Sequence, residues 1–150
     1  AHDIVVRGRV EDEDGNNIGT YSGIVENHHD TLGGYWNGDS IGTERGNYNI
    51  LWENIICRGN TDGGIDTKGI DVTMRKVECY DNKKNFRLWG FSGMHLIDCI
   101  SRDPRKRGGS SGPSHVHIIG PSNHPGAEQI DLLVEGMTFD RSDFRLKSGS

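Results

Sequence analysis

The chain has 150 residues, 32% of them hydrophobic, with 22 glycines and a net charge of -5. That describes one domain with a thin core, and it excludes a conventional two-domain enzyme. The acidic balance gives no global attraction to nucleic acid, and no apolar run approaches the roughly 18 residues that span a bilayer, so neither nucleic acid nor a membrane is an expected partner.

The chain opens on Ala1-His2-Asp3-Ile4 with neither a basic n-region nor an apolar h-region. Any secretion signal has been removed or lies outside this sequence. Ile4-Val5-Val6 and Gly23-Ile24-Val25 read as strands of irregular early turns over residues 1–40. His28-His29-Asp30 gathers metal donors, but neighbouring side chains on a strand face opposite ways, so a metal role there is not expected.

From residue 41 a register emerges. No window keeps a helical apolar spacing, because Gly, Asn and Asp interrupt every candidate. Five segments share the pattern apolar, any, apolar or Thr, then Gly: Ile41/Thr43/Gly46, Ile65/Thr67/Gly69, Phe86/Leu88/Gly90, Val116/Ile118/Gly120 and Phe144/Leu146/Gly149. We name these strand A. Between them lie strands B. Ile50, Trp52, Ile55 and Cys57 recur at a shift of 22 as Val72, Met74, Val77 and Cys79. Met94, Ile97 and Cys99 repeat Met74, Val77 and Cys79 at a shift of 20, and Leu132, Val134, Met137 and Phe139 repeat the spacing again. Residues 100–131 carry two insertions rich in Gly, Pro, Ser and His, which read as loops.

Short strands with Gly, Asn and Asp corners, recurring about every 21 residues, bury an apolar face only by stacking on their neighbours. The predicted fold is therefore all-β, a right-handed parallel β-helix solenoid of about five to six coils, with residues 1–150 as one domain and 41–149 as its regular part. Without an amphipathic capping helix, and with the last residues following a strand A, it reads as a fragment of a longer solenoid or an assembly subunit. Cys57, Cys79 and Cys99 are expected to stack inside as reduced thiols, since no CxxC spacing occurs and the count is odd.

If the apolar members of strand A point inward, the residues between them point outward. Three outward columns result: Gly42, Asp66, Arg87, His117 and Arg145; Glu44, Lys68, Trp89, Ile119 and Lys147; and Ser40, Gly64, Asn85, His115 and Asp143. Stacked at about 4.8 Å, Asp66 beside Arg87 and Glu44 beside Lys68 can pair as a structural ladder or bracket a ligand. An exposed Trp89 amid these charges suits the apolar face of a sugar ring. The corner before strand A offers Asp39, Asp62 and Asp66 as oxygen ligands for Ca²⁺, or as turn-forming Asx residues. Arg102, Arg105, Lys106 and Arg107 form one basic cluster that reads as a solvated loop.

The segments NGDSIGTERG (37–46), NTDGGID (60–66) and NKKNFRLWG (82–90) resemble successive coils of the pectate-lyase-like superfamily of right-handed parallel β-helices, over roughly residues 37–146. Calcium-dependent lyases of that superfamily carry a D-D-G-x-D cluster that holds Ca²⁺ and a lysine base on a later coil. Asp62 and Asp66 match the outer pair, with Gly63 at the middle position. Polygalacturonases share the fold and use N-T-D followed one coil later by a D-D pair; Asn60-Thr61-Asp62 matches the first motif, and Lys83-Lys84 stands at the second.

The resemblance implies a polysaccharide lyase or epimerase acting on a uronic-acid polymer, in an extracellular or cell-surface setting. A base would remove the proton next to the sugar carboxylate while a cation neutralises that carboxylate. In this reading Asp39, Asp62 and Asp66 hold Ca²⁺; Lys68, Arg87 and His117 are catalytic, with Arg87 on the carboxylate and Lys68 or His117 as base; Trp89, Asn85, His115 and Glu44 bind substrate. The alternatives are a noncatalytic β-helix, such as an adhesin, a stalk or a phage tailspike segment, and a polygalacturonase-like hydrolase. An acidic polysaccharide, further coils of the parent chain or a second copy of the chain are the expected partners.

Overall fold

A computed structural model of the chain describes residues 1–7, 23–25, 38–89, 93–106, 109–119, 131–140 and 146–149. The strands are β1 (His2–Arg7), β2 (Gly23–Val25), β3 (Ile41–Thr43), β4 (Tyr48–Arg58), β5 (Gly63–Thr67), β6 (Ile70–Tyr80), β7 (Lys84–Trp89), β8 (Met94–Ile97), β9 (Ile100–Arg102), β10 (Ser114–Ile119), β11 (Leu132–Glu135), β12 (Thr138–Asp140) and β13 (Leu146–Gly149). Among the described residues there is no helix, and hence none long and apolar enough to cross a membrane.

All strand pairs are parallel and fall into two sheets. The larger sheet runs β1-β4-β6-β8-β11, with β2 on β4, β9 on β6 and β12 on β9; the smaller runs β13-β10-β7-β5-β3. From β3 onward the chain alternates between them, so each repeat gives strands to both. The all-β, parallel-strand expectation is thus met, and His28-His29-Asp30 lies outside the described residues.

The strand A register holds across four repeats: Ile41 pairs with Ile65, Ile65 with Phe86 and Phe86 with Val116. In the last repeat Leu146, not Phe144, lies opposite Val116. A slip of two residues keeps the same faces, so the hydrophobic pattern alone does not choose between the two registers. Lys147 therefore joins the row of Arg87 and His117, while Arg145 and Asp143 lie outside the described residues.

The strand B register is corrected in the same way. Strands β4 and β6 pair at an offset of 22, placing Cys57 opposite Cys79. The next repeat keeps that offset instead of 20: Val72 pairs with Met94, Met74 with Leu96 and Cys79 with Ser101. Ser101, not Cys99, continues the cysteine column. All three cysteines are nonetheless buried and unbridged, and burial raises the thiol of Cys99 to about 11 and that of Cys79 far above its ordinary range.

Bends recur at fixed places in the repeat. Left-handed backbone appears at Asn49 and Asp71, then at Asn54, Lys76 and Asp98, then at Asp81 and Asp103. Asn and Asp tolerate this region because their short polar side chains bond locally, which explains why these residues crowd the corners; Lys76 departs from that preference. The bend at Asn54 and Lys76 also shifts the alternation, so that Ile50 and Trp52 point inward before it and Ile55 and Cys57 after it. The core between the sheets consists of Ile50, Trp52, Val72, Met74, Met94 and Leu96 facing Ile65, Phe86, Leu88 and Val116.

Candidate functional site

The outer face of the five-stranded sheet carries the charged rows. Asp66 lies between Gly42 and Arg87, and His117 follows Arg87. Arg87 Nη1 donates to Asp62 Oδ2 at 2.6 Å and to Asp66 Oδ2 at 3.2 Å. Trp89 Nε1 donates to Asp66 Oδ1, and its ring lies 4.9 Å from the Arg87 guanidinium and 5.3 Å from Lys68 Nζ. Lys68 also reaches Glu44 Oε1 at 2.7 Å. Attraction of the two cations to the half-buried ring favours this orientation. Arg87 has one further feature: its Nε is buried and has no hydrogen-bond partner among the described residues.

Asp39 supplies a carboxylate from the preceding repeat. Its Oδ1 accepts the Gly63 N–H, and a Cβ at position 63 would stand 2.6 Å from that oxygen. The middle position of the acidic motif is glycine because the Asp39 carboxylate already fills its space. Burial, with Asp66 and Asp62 adding repulsion, raises Asp39 from 3.8 to about 7. Burial likewise raises Asp66, against the pull of Arg87 and Lys68.

A raised carboxylate favours its protonated form in the folded state. Its contribution is fully present below the unfolded value and is lost as pH climbs from about 4 to about 7. We therefore expect Asp39→Asn, which keeps an acceptor for Gly63, to exceed the parent in stability by about 1–2 kcal/mol at about pH 8, after allowing for solvent screening at this half-buried site. The difference should close near about pH 4, as read by denaturant melts across pH.

Five of the outward residues named from the sequence come together here, Glu44, Asp66, Lys68, Arg87 and Trp89, joined by the corner residue Asp62, with Asp39 against them. His117 shares the row but is half-buried. Asn85 and His115 do not belong to this face. Asn85 is 0% and His115 1% exposed, and both turn into the interior. Strict alternation misplaces them because Gly64-Ile65, Asn85-Phe86 and His115-Val116 are consecutive buried pairs, so the in–out alternation breaks just ahead of the apolar position.

The inward residues form a polar chain that the sequence reading missed. Asn60 Nδ2 donates to Ser40 Oγ and to Asn82 Oδ1; Asn82 Nδ2 donates to Cys57 O at 2.9 Å and to Asn85 Oδ1 at 3.0 Å. Asn85 Nδ2 donates to Ser101 Oγ at 2.8 Å, which meets His115 Nδ1 at 2.8 Å. Burial lowers His115, so its ring is held neutral. Gly64 sits against this chain, where a Cβ would lie 2.6 Å from Asn85 O and 2.7 Å from Asn82 Nδ2. The one sequence signal was the recurrence of Asn60 as Asn82 one repeat later.

Among the described residues no group of three His, Cys, Asp or Glu side chains is arranged to hold a metal ion. The carboxylates expected to bind Ca²⁺ are engaged by Arg87, Trp89 and the Gly63 N–H. The cation beside Asp62 and Asp66 in this arrangement is the Arg87 guanidinium.

The fold and face together define an all-β protein of two parallel sheets with an ion-paired, tryptophan-bearing outer surface. Comparison with protein families, with curated proteins and with solved structures finds no match for this chain.

Proposed function

We propose that the chain is part of a right-handed parallel β-helix whose five-stranded face binds an acidic polysaccharide, acting on it as a uronate lyase or epimerase. The helical path is supported by the alternation of successive strands between two parallel sheets at a near-constant offset, and its hand by the strong right-handed preference of parallel crossovers. The sequence resemblance to pectate-lyase-like coils agrees with this path. An extracellular or cell-surface setting goes with such a substrate.

The observation that carries the functional reading is Arg87 Nε, a buried donor with no hydrogen-bond partner among the described residues, beside a half-buried Trp89. A sugar carboxylate is an acceptor of suitable charge and shape for a guanidinium, and the tryptophan face suits the ring that bears it. Arg87 would stabilise the carboxylate as the adjacent carbon loses its proton to Lys68 or His117. In a lyase the electron pair left on that carbon forms a double bond as the neighbouring C–O bond breaks, and the leaving oxygen takes a proton. In an epimerase the proton returns from the other side. Where Ca²⁺ is bound, Asp39, Asp62 and Asp66 would hold it, and it would supply positive charge that helps neutralise the substrate carboxylate.

The ultraviolet absorbance of the unsaturated product tests the lyase: pectate and alginate should be cleaved, and Arg87→Lys should lower turnover by about 100-fold or more through loss of the oriented contact. Solvent-proton exchange into the polymer tests the epimerase. No cleavage and no exchange on either polymer, with and without Ca²⁺, would overturn both.

A noncatalytic surface is the second reading, favoured by the pairing of Arg87 with Asp62 and Asp66 and of Lys68 with Glu44. Under that reading Lys68→Met leaves ligand binding untouched and changes only melting.

A further inference from the structure

Two consecutive lysines, Lys83 and Lys84, lead into β7 one repeat after Asp62 and Gly63. They are only 4% and 2% exposed. A lysine is almost never buried to this extent without a partner, because an ammonium taken out of water needs an anion or acceptors in its place. Lys84 has one, since its Nζ donates to Gly112 O. The Lys83 ammonium meets neither a carboxylate nor an acceptor among the described residues. Asp62, the acid one repeat earlier, is bonded to Arg87 instead.

A second donor without an acceptor lies in the same corner. Ser114 pairs with Lys84 in the β10–β7 register, and its backbone N–H donates to Lys83 O at 3.0 Å. The residue is 4% exposed, and its Oγ is buried with no hydrogen-bond partner among the described residues. Gly109 comes against Lys83 from the segment that leads to Ser114. A Cβ there would stand 3.0 Å from Lys83 Nζ, so a side chain at 109 would crowd the ammonium. A charged donor and a neutral one, both lacking acceptors, complement the two oxygens of one carboxylate.

We infer that Lys83 and Ser114 form a second anion subsite, which takes the carboxylate of a further sugar in the uronate polymer held at Arg87. The inference rests on the proposed function. Lys84 and Arg87 are three residues apart on β7, about 10 Å along an extended strand, so separate sugars of one chain reach the two subsites. The bound carboxylate accepts from Lys83 Nζ as a charged pair and from the Ser114 hydroxyl, which satisfies both groups at once.

Titration calorimetry of the 150-residue chain with a galacturonate trimer tests it. Lys83→Gln should weaken trimer binding by about tenfold or more and Ser114→Ala by about three- to tenfold, while Lys83→Arg should keep most of the affinity. The melting midpoint of unliganded Lys83→Gln should equal or exceed that of the parent, because the change removes a cation that no acid neutralises. A lowered midpoint would give Lys83 a structural role and overturn the subsite. Ser114→Ala, which removes one atom, reads the same site where Lys83→Gln does not fold. Trimer binding that is indifferent to Lys83→Gln and Ser114→Ala but weakened by Arg87→Lys would overturn the subsite and leave the Arg87 reading standing. The reverse pattern would keep the subsite and overturn that reading, and a parent that binds no trimer would overturn both. Displacement of the trimer by equimolar acetate would assign the site to a free carboxylate and overturn the polymer subsite.

Discussion

Arg87→Ala is expected to destabilise the fold by about 3 kcal/mol or more, because it strands two buried carboxylates. The side chains of Asp62 and Asp66 are 9% and 7% exposed, and Arg87 Nη1 is bonded to both. Without it, Asp66 would be pushed further up by burial, with only Lys68 and Trp89 to offset the cost. The loss measures an uncompensated pair of charges more than the worth of the ion pairs themselves. Placing Arg87→Ala in an Asp62→Asn, Asp66→Asn background should therefore shrink the penalty to about 1 kcal/mol, a coupling that denaturant melts of the full cycle resolve. An undiminished penalty in that background would mean that Arg87 acts through packing on Trp89 rather than through charge.

Asn82→Ala is the second large effect. The Asn82 side chain accepts from the Asn60 backbone N–H at 3.0 Å and from Asn60 Nδ2, and it donates to Cys57 O and Asn85 Oδ1, all without access to water. Each partner left unsatisfied in the interior costs about 1–3 kcal/mol, so the sum is expected to reach about 3–5 kcal/mol once the cavity admits some relaxation. Asn82→Asp keeps the acceptor oxygen but loses the donor and buries a charge, and it should be no better at neutral pH. Denaturant midpoints measure both, and a cost below about 1 kcal/mol for Asn82→Ala would show that water replaces the side chain.

These two residues mark how far the sequence could be read. Arg87 was legible because Ile65-x-Thr67 and Phe86-x-Leu88 fix which residues of strand A face outward, and a correct register then places Asp66 beside Arg87. Asn82 was not legible as a core residue, since an asparagine in an Asn-Lys-Lys-Asn run carries the same signal as a solvated turn. The misplacement of Asn85 and His115 has the same origin: period-two alternation holds from Phe86 onward and fails at the residue before it. The slip at Cys99 arose because Met94, Ile97 and Cys99 reproduce the apolar spacing of Met74, Val77 and Cys79 at one offset, while Met94 and Leu96 reproduce that of Val72 and Met74 at another. The structure chooses the offset that keeps Met94 and Leu96 inside. Asp39 illustrates a different limit: its role at the gap over Gly63 depends on contact between repeats, which a spacing within one motif does not encode.

In the proposed function the Arg87 guanidinium and the Trp89 ring receive a sugar carboxylate. Titration calorimetry of the chain with a uronate oligosaccharide and with its methyl ester tests it most directly, because the two ligands share ring faces and differ in charge. Heat of binding is expected for the free acid, with a loss of at least about tenfold in affinity for the ester and a comparable loss for Arg87→Lys on the free acid. Equal affinity for acid and ester, or no binding of either, would contradict it.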